Sequence, residues 1–133
     1  MRVVLQPGVT LLAKRGAYKS KGDHLLRVAD VTDVDIVGLG PPVPQIRMWR
    51  SDYANASMYN HSEWRHGLSL ENVQRVRISG LRITETGGDG IYLEGANKQV
   101  RISDVVLDRN YRQGQCPNPN PNPNPNLAHV PRS

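Results

Sequence analysis

The chain of 133 residues is long enough for one domain and too short for two. Hydrophobic residues make up 38% of it, aromatic residues 5%, and phenylalanine is absent, which is a lean complement for a compact globular core. The formal net charge is +5, but lysine and arginine are spread along the chain, as is typical of a solvated surface. Twelve glycines and ten prolines favour many turns and argue against long helices.

The number of cysteines and the lengths of the apolar runs exclude several kinds of site and segment. The single cysteine, Cys116, cannot form an internal disulfide, and no zinc-ligand spacing surrounds it. No segment approaches the roughly 18 apolar residues of a membrane span. The apolar run at residues 1–8 is too short for a signal peptide. We therefore expect no membrane partner and no secretion signal within this chain.

The first residues are predicted to lie in a strand, and further predicted strands follow along the chain. Residues 24–28 and 34–39 alternate apolar and polar positions with period two, the pattern of a strand with one buried face. Residues 66–70 and 76–81 reproduce both blocks 42 positions later. The residues predicted to face inward then match as follows: Leu26 with Leu68, Val28 with Leu70, Val34 with Val76, Ile36 with Ile78, and Leu39 with Leu81.

A third copy of this strand pattern follows after a shorter interval. Residues 89–93 match residues 66–70 at an offset of 23, and residues 100–103 match residues 76–79 at an offset of 24. The repeat is therefore about 23 to 24 residues long. The step of 42 fits one such unit with an insertion of about 18 residues, near residues 50–65, or two shorter units.

This period favours one repeat architecture over its rivals. A propeller blade needs roughly 40 residues or more, and a leucine-rich repeat would show its asparagine ladder and fixed leucines. A coil of three short strands per turn fits best, with successive coils about 4.8 Å apart. The prediction is an all-β, partial solenoid of 23–24-residue coils over residues 1–115, with an insertion loop near residues 50–65.

One known family shares these local sequences. The runs Arg77-Ile78-Ser79-Gly80-Leu81-Arg82-Ile83 and Gly87-Gly88-Asp89-Gly90-Ile91-Tyr92-Leu93 resemble the right-handed parallel β-helix proteins of the pectate-lyase-like (pectin lyase fold) superfamily. Residues 5–12 resemble the first coil of such proteins, so the resemblance covers about residues 1–115. It implies a right-handed parallel β-helix, calcium as a candidate cofactor, and a parent protein that is secreted or on the cell surface. The fold hosts lyases, hydrolases, epimerases, tailspikes and adhesins, so activity stays open.

The tail departs from the repeat. Five Pro-Asn pairs run from residue 117 to residue 126, and alternating prolines cannot continue a sheet ladder. We expect residues 116–133 to be a low-complexity, disordered tail. The coil pattern stops at Gln115 and no cap is recognisable at either end. The sequence therefore predicts a fragment of a longer protein, able to self-associate through uncapped coil ends.

Stacked turns of such a coil would gather functional side chains on one outer face. The register puts His66, Asp89 and Gln113 in one column and Glu85 beside Arg109. Acid–base or nucleophilic chemistry on a glycan needs carboxylates or histidine. Aromatic rings and arginines suit binding of sugar rings and carboxylates. The catalytic candidates are Asp89, Glu85, His66 and Asp108. The substrate-binding candidates are Trp64, Arg65, Arg109, Tyr111, Arg112, His61 and Glu63, and no metal ligands are predicted.

Each candidate has a structural alternative. Asp89, between two glycines, suits a turn that needs its backbone satisfied, and His66 suits a strand cap. Glu85 and Arg109 suit a surface ion pair of little energetic value. Trp64 suits packing of the insertion onto the coils.

Three functional hypotheses remain open. The first is a carbohydrate-active module that binds or cleaves an acidic polysaccharide, by lyase or glycoside hydrolase chemistry. Catalysis by this chain alone is not expected, because too few coils fit in it for a complete enzyme of this fold. The second is a non-catalytic structural or adhesive segment. The third, nucleic-acid binding, depends on net charge alone and is not favoured.

Overall fold

The computed structural model describes residues 1–112, which form an all-β structure with one short 3₁₀ turn. The strands in chain order are β1 (Arg2–Leu5), β2 (Thr10–Leu12), β3 (Leu26–Ala29), β4 (Thr32–Gly38), β5 (Gln45–Arg47), β6 (Leu68–Glu71), β7 (Gln74–Thr84), β8 (Ile91–Glu94) and β9 (Lys98–Asp108). The 3₁₀ turn spans Asp52–Ala54, between β5 and β6. Within these residues no helix is long and apolar enough to cross a membrane. The predicted tail, like the predicted boundary at residue 115, lies outside the described residues.

All strand pairing in the two sheets is parallel. The larger sheet, called sheet A, contains β1, β2, β4, β5, β7 and β9, and the smaller, called sheet B, has the order β3-β6-β8. The chain passes from sheet B to sheet A three times, from β3 to β4, from β6 to β7 and from β8 to β9. Two adjacent parallel strands need a long connection between them, and here a strand of the other sheet forms part of that connection. The all-β prediction is confirmed, and the strands pair in parallel as predicted.

The register repeats the steps read from the sequence. Leu26 pairs with Leu68 and Leu68 with Ile91, at steps of 42 and 23 residues. Val76 pairs with Val100 at a step of 24 residues. The inward side chains of both sheets form one apolar cluster, in which Leu68, Ile78 and Ile91 are fully buried. Burying these side chains stabilises the stack by about 1.5–3 kcal/mol each, before chain entropy is counted.

The predicted pairing of Leu39 with Leu81 is wrong. The step is 42 residues between Val37 and Ser79 but 37 residues between Gln45 and Arg82. The five residues 39–43 loop out, and Leu39 is 40% exposed. The backbone carbonyl of Pro44 accepts the amide hydrogen of Arg82 at 3.0 Å, so Pro44 takes the position beside Leu81.

A close backbone contact explains where this loop begins. A Cβ on Gly80 would lie 2.3 Å from the carbonyl oxygen of Gly38, and the φ angle of Gly80 is +73°. Only glycine combines that angle with that approach at low energy. Gly38 is the last residue of β4, so the two glycines let β4 and β7 stay adjacent where β4 ends.

Residues 48–67 connect β5 to β6 and include the segment predicted as an insertion. It folds back on the sheets through a second apolar cluster that contains Met48, Tyr53 and Tyr59. Tyr53 and Tyr59 meet edge to face with ring centroids 5.0 Å apart. Some of the extra residues lie elsewhere, at positions 39–43. The step between matching residues gives the number of extra residues but not their position in the chain.

Left-handed residues recur at equivalent turns. Asp30, Asn72 and Gly95, which follow β3, β6 and β8, have φ angles of 55°, 51° and 77°. Glu85 and Arg109, which follow β7 and β9, have φ angles of 59° and 52°. Asparagine, aspartate and glycine reach this region more easily than other residues. The same turn geometry is therefore built at each pass, and it stacks chemically different side chains in one column.

Candidate functional site

His66 and Asp89 lie side by side, as the 23-residue register predicts. The Asp89 backbone amide donates a hydrogen bond to Nδ1 of His66 at 2.8 Å, and Oδ2 of Asp89 lies 3.8 Å from the same nitrogen. Both side chains are essentially fully buried. Gly88 permits this contact, since a Cβ there would lie 2.7 Å from Nδ1 of His66.

The protonation of His66 follows from this environment. Burial, with His24 and Arg112 nearby, lowers the pKa of His66 to about 3. The imidazole is therefore neutral near pH 7, and because Nδ1 accepts a hydrogen bond, the proton is assigned to Nε2. Nε2 is buried and makes no hydrogen bond within the described residues. His66 cannot act as a general acid in this state.

Aromatic rings enclose His66. Its imidazole stacks on His24 with centroids 4.9 Å apart and on Tyr92 with centroids 4.3 Å apart. Trp64 meets both His66 and Tyr92 edge to face, each at 5.7 Å. Such ring pairs contribute about 0.5–1.5 kcal/mol each beyond the burial of area. We call Trp64, His24, His66 and Tyr92 the aromatic cluster.

The aromatic cluster reaches the surface at one side chain. Trp64 is 44% exposed. The guanidinium of Arg112 lies 5.0 Å from the Trp64 ring centroid, and its Nε lies 4.0 Å from Oδ1 of Asp89. The backbone amide of Arg112 also donates to the carbonyl of Gly88 at 3.2 Å. An exposed ring and a guanidinium are thus held together by the turn that contains Asp89.

Arg65 was predicted to bind substrate, but it lies in the interior. Its side chain is fully buried and donates to the carbonyls of Tyr18, Lys19 and Asn60. The guanidinium also lies over the rings of Tyr53 and Tyr59, at 5.2 and 5.5 Å. Burial lowers the pKa of Arg65. These contacts join the insertion to the loop after β2, so the side chain does not face outward as expected.

Two predicted carboxylates form ion pairs. Asp108 accepts two hydrogen bonds from Arg82, at 2.9 and 2.7 Å, and that partner lowers the pKa of Asp108. Glu85 lies 3.4 Å from Nε of Arg109, the pair expected from the 24-residue step. Because Arg82 keeps the Asp108 carboxylate ionised near neutral pH, Asp108 is a poor general acid there.

The remaining predicted residues lie at the surface. His61 and Glu63 are exposed on the insertion, and the Glu63 carbonyl packs against Gly88. Tyr111 is 46% exposed, and its amide donates to the carbonyl of Thr86. Gln113, placed in the column of His66 and Asp89, lies outside the described residues.

Three residues of this region were missed as candidates. His24 and Tyr92 stack on His66, and Arg82 holds Asp108. The 42-residue repeat contained a signal for His24, since His24 aligns with His66. Tyr92 carried no such signal, because it is in register with Ser69 and reaches His66 diagonally.

The comparisons with known proteins gave no match among family models, curated proteins or solved structures. Residues 1–112 contain no group of three or more histidine, cysteine, aspartate or glutamate side chains placed to hold a metal ion.

Proposed function

We propose that this chain is a segment of a right-handed parallel β-helix that binds an acidic polysaccharide and does not cleave it. The two parallel sheets, their 23- and 24-residue steps and the single apolar cluster between them support the solenoid. The proposal assigns function to the turns before β6 and β8 and after β9, where the aromatic cluster and Arg112 lie.

The observation that carries the binding proposal is the pairing of Trp64 with Arg112. An indole ring that is 44% exposed offers an apolar face to a sugar ring. The guanidinium 5.0 Å from its centroid can engage a uronate carboxylate, for which its planar array of donors is well suited.

Binding without cleavage follows from the state of the candidate acids and bases. His66 is neutral and enclosed by rings, and Asp89 is buried beside it. Asp108 is held ionised by Arg82, and Glu85 lies beside Arg109. Glycoside hydrolysis needs one carboxyl group that is protonated and another that is free to act, both reaching the substrate. These ion pairs and this burial favour a binding surface.

The test uses polygalacturonate as the probe, with affinity measured by calorimetry and products measured by reducing-sugar and unsaturated-product assays. We expect the unmodified chain to bind without releasing product. Trp64→Ala and Arg112→Gln should each weaken binding about tenfold, the effect of losing about 1.4 kcal/mol. Circular dichroism checks that both variants fold.

Matched controls separate this surface from general effects. Arg15 lies 4.7 Å from the ring of Trp49, so Arg15→Gln removes a cation over a tryptophan elsewhere. Met58 is 49% exposed, so Met58→Ala removes exposed apolar area elsewhere. Both controls should retain binding. Absence of binding by the unmodified chain, or equal binding by Trp64→Ala, would refute the proposal in favour of a purely structural segment. Release of product would refute its non-catalytic part.

A further inference from the structure

A second charged surface lies on the outer face of sheet A, away from the aromatic cluster. Arg77 of β7 is in register with Arg101 of β9, and two positions further Ser79 is in register with Ser103. Alternate residues of a strand face the same side, so the two arginines and the two serines share this outer face. The buried side chains between them, among them Ile78 and Ile102, face the apolar cluster. A trough of about 730 Å³ runs past both arginines.

The two arginines lie opposite each other on adjacent strands. Arg77 and Arg101 are exposed, and neither forms an ion pair within residues 1–112. Like charges directly opposite on adjacent strands destabilise a sheet. Neighbouring strands are about 4.8 Å apart, so the two guanidinium groups can reach one anion or two successive anions. An anion bound between the two guanidinium groups would offset this repulsion.

The neighbouring charges limit where an anion can bind. Arg75 also borders the trough, but both oxygens of Asp33 accept from it, at 2.6 and 2.9 Å. Asp35 is the register partner of Arg77 on the other side. Arg2 and the Met1 ammonium also line the trough, on the far side of Asp33 and Asp35 from β9. Arg77 and Arg101 are the arginines that lie side by side on β7 and β9, and Ser79 and Ser103 place hydroxyl donors two positions further along.

We propose that Arg77, Arg101, Ser79 and Ser103 form a second binding surface for carboxylates of an acidic polysaccharide. The class of ligand rests on the proposed function, whereas the surface is a different one. A single extended polyuronate chain presents one carboxylate per sugar, and it can cross β7 and β9 while avoiding Asp33 and Asp35. Duplex nucleic acid fits less well, because its two closely charged strands would meet those carboxylates.

The decisive variant is Arg77→Gln with Arg101→Gln, compared with Lys98→Gln with Arg50→Gln. Lys98 and Arg50 are exposed, and the control removes the same net charge. Binding of polygalacturonate is measured by calorimetry over a series of salt concentrations. We expect the arginine variant to lose about tenfold in affinity, which corresponds to about 1.4 kcal/mol, and to show a weaker salt dependence because two cationic contacts are removed. The control should lose much less.

The same measurements in a Trp64→Ala background separate this surface from the first one. Loss of affinity with the arginine variant but not with Trp64→Ala supports this surface and refutes the first. The reverse result refutes this surface alone. An equal loss with the Lys98 and Arg50 control would show a general effect of net charge and overturn the inference. Tighter arginine-dependent binding of duplex DNA than of polygalacturonate would overturn the assigned ligand.

Discussion

The imidazole of His66 accepts a hydrogen bond from the backbone amide of Asp89, 23 residues later in the chain, at 2.8 Å. This bond fixes the orientation of the ring between His24 and Tyr92. It also links the segment before β6 to the segment before β8.

Stability should rise with pH between about pH 4 and pH 6. Burial lowers the pKa of His66 to about 3, against an ordinary value of 6.5, so the unfolded chain binds a proton in this range that the folded chain does not. The free energy of unfolding should rise by about 1.4 kcal/mol per pH unit from His66. The pKa of His24 is also lowered by burial, which adds to the same slope.

Urea unfolding at a series of pH values measures this slope. His66→Asn, whose side-chain oxygen can accept the Asp89 amide hydrogen, should remove the part due to His66. His24→Asn is the comparison, and it should keep the part due to His66. The pKa values of Asp33, Asp52 and Asp108 are lowered, so these groups act below pH 4. A slope unchanged by His66→Asn would contradict a buried neutral imidazole.

Arg65→Met should destabilise the chain by about 3 kcal/mol or more. The substitution keeps a long side chain but leaves the carbonyls of Tyr18, Lys19 and Asn60 without this donor. Arg50→Met changes an exposed arginine and should shift stability by less than about 0.5 kcal/mol. Chemical denaturation followed by tryptophan fluorescence gives both values. A small effect at Arg65 would mean that the insertion folds independently of these bonds.

Gly80→Ala should destabilise the chain by about 2 kcal/mol or more, or prevent folding. The φ angle of +73° disfavours a Cβ by about 1–2 kcal/mol, and that Cβ would also meet the Gly38 carbonyl at 2.3 Å. Gly22→Ala is the matched control, because a Cβ there meets nothing within 4 Å. Thermal unfolding of the two variants distinguishes them. Equal melting temperatures would show that β4 and β7 can separate at this point.

The two surface ion pairs should differ in strength. Arg82 and Asp108 make two hydrogen bonds, whereas Glu85 and Arg109 meet at 3.4 Å with the arginine side chain 61% exposed. Double-mutant cycles should give about 0.5–1 kcal/mol for the first pair and less for the second. A stronger coupling between Glu85 and Arg109 would run against this geometry.

The repeat in the sequence is enough to predict the register of β6 with β8 and of β7 with β9. Leu68 with Ile91 and Val76 with Val100 are paired as the 23- and 24-residue steps predict, because parallel strands with one buried face must place apolar residues in the same columns. The same reasoning placed His66 beside Asp89 and Glu85 beside Arg109. It could not locate the extra residues 39–43, since a loop of any composition leaves the later pattern unchanged.

The tertiary structure alone decided which of these side chains face solvent. Arg65 carries the same charge as Arg112, yet the folded insertion surrounds Arg65 with carbonyls and tyrosine rings and leaves Arg112 beside an exposed indole. The neutral state of His66 likewise depends on burial and on rings from two other strands or turns. Period-two alternation specifies the face of a strand, but solvation in a turn depends on what the rest of the chain packs against it.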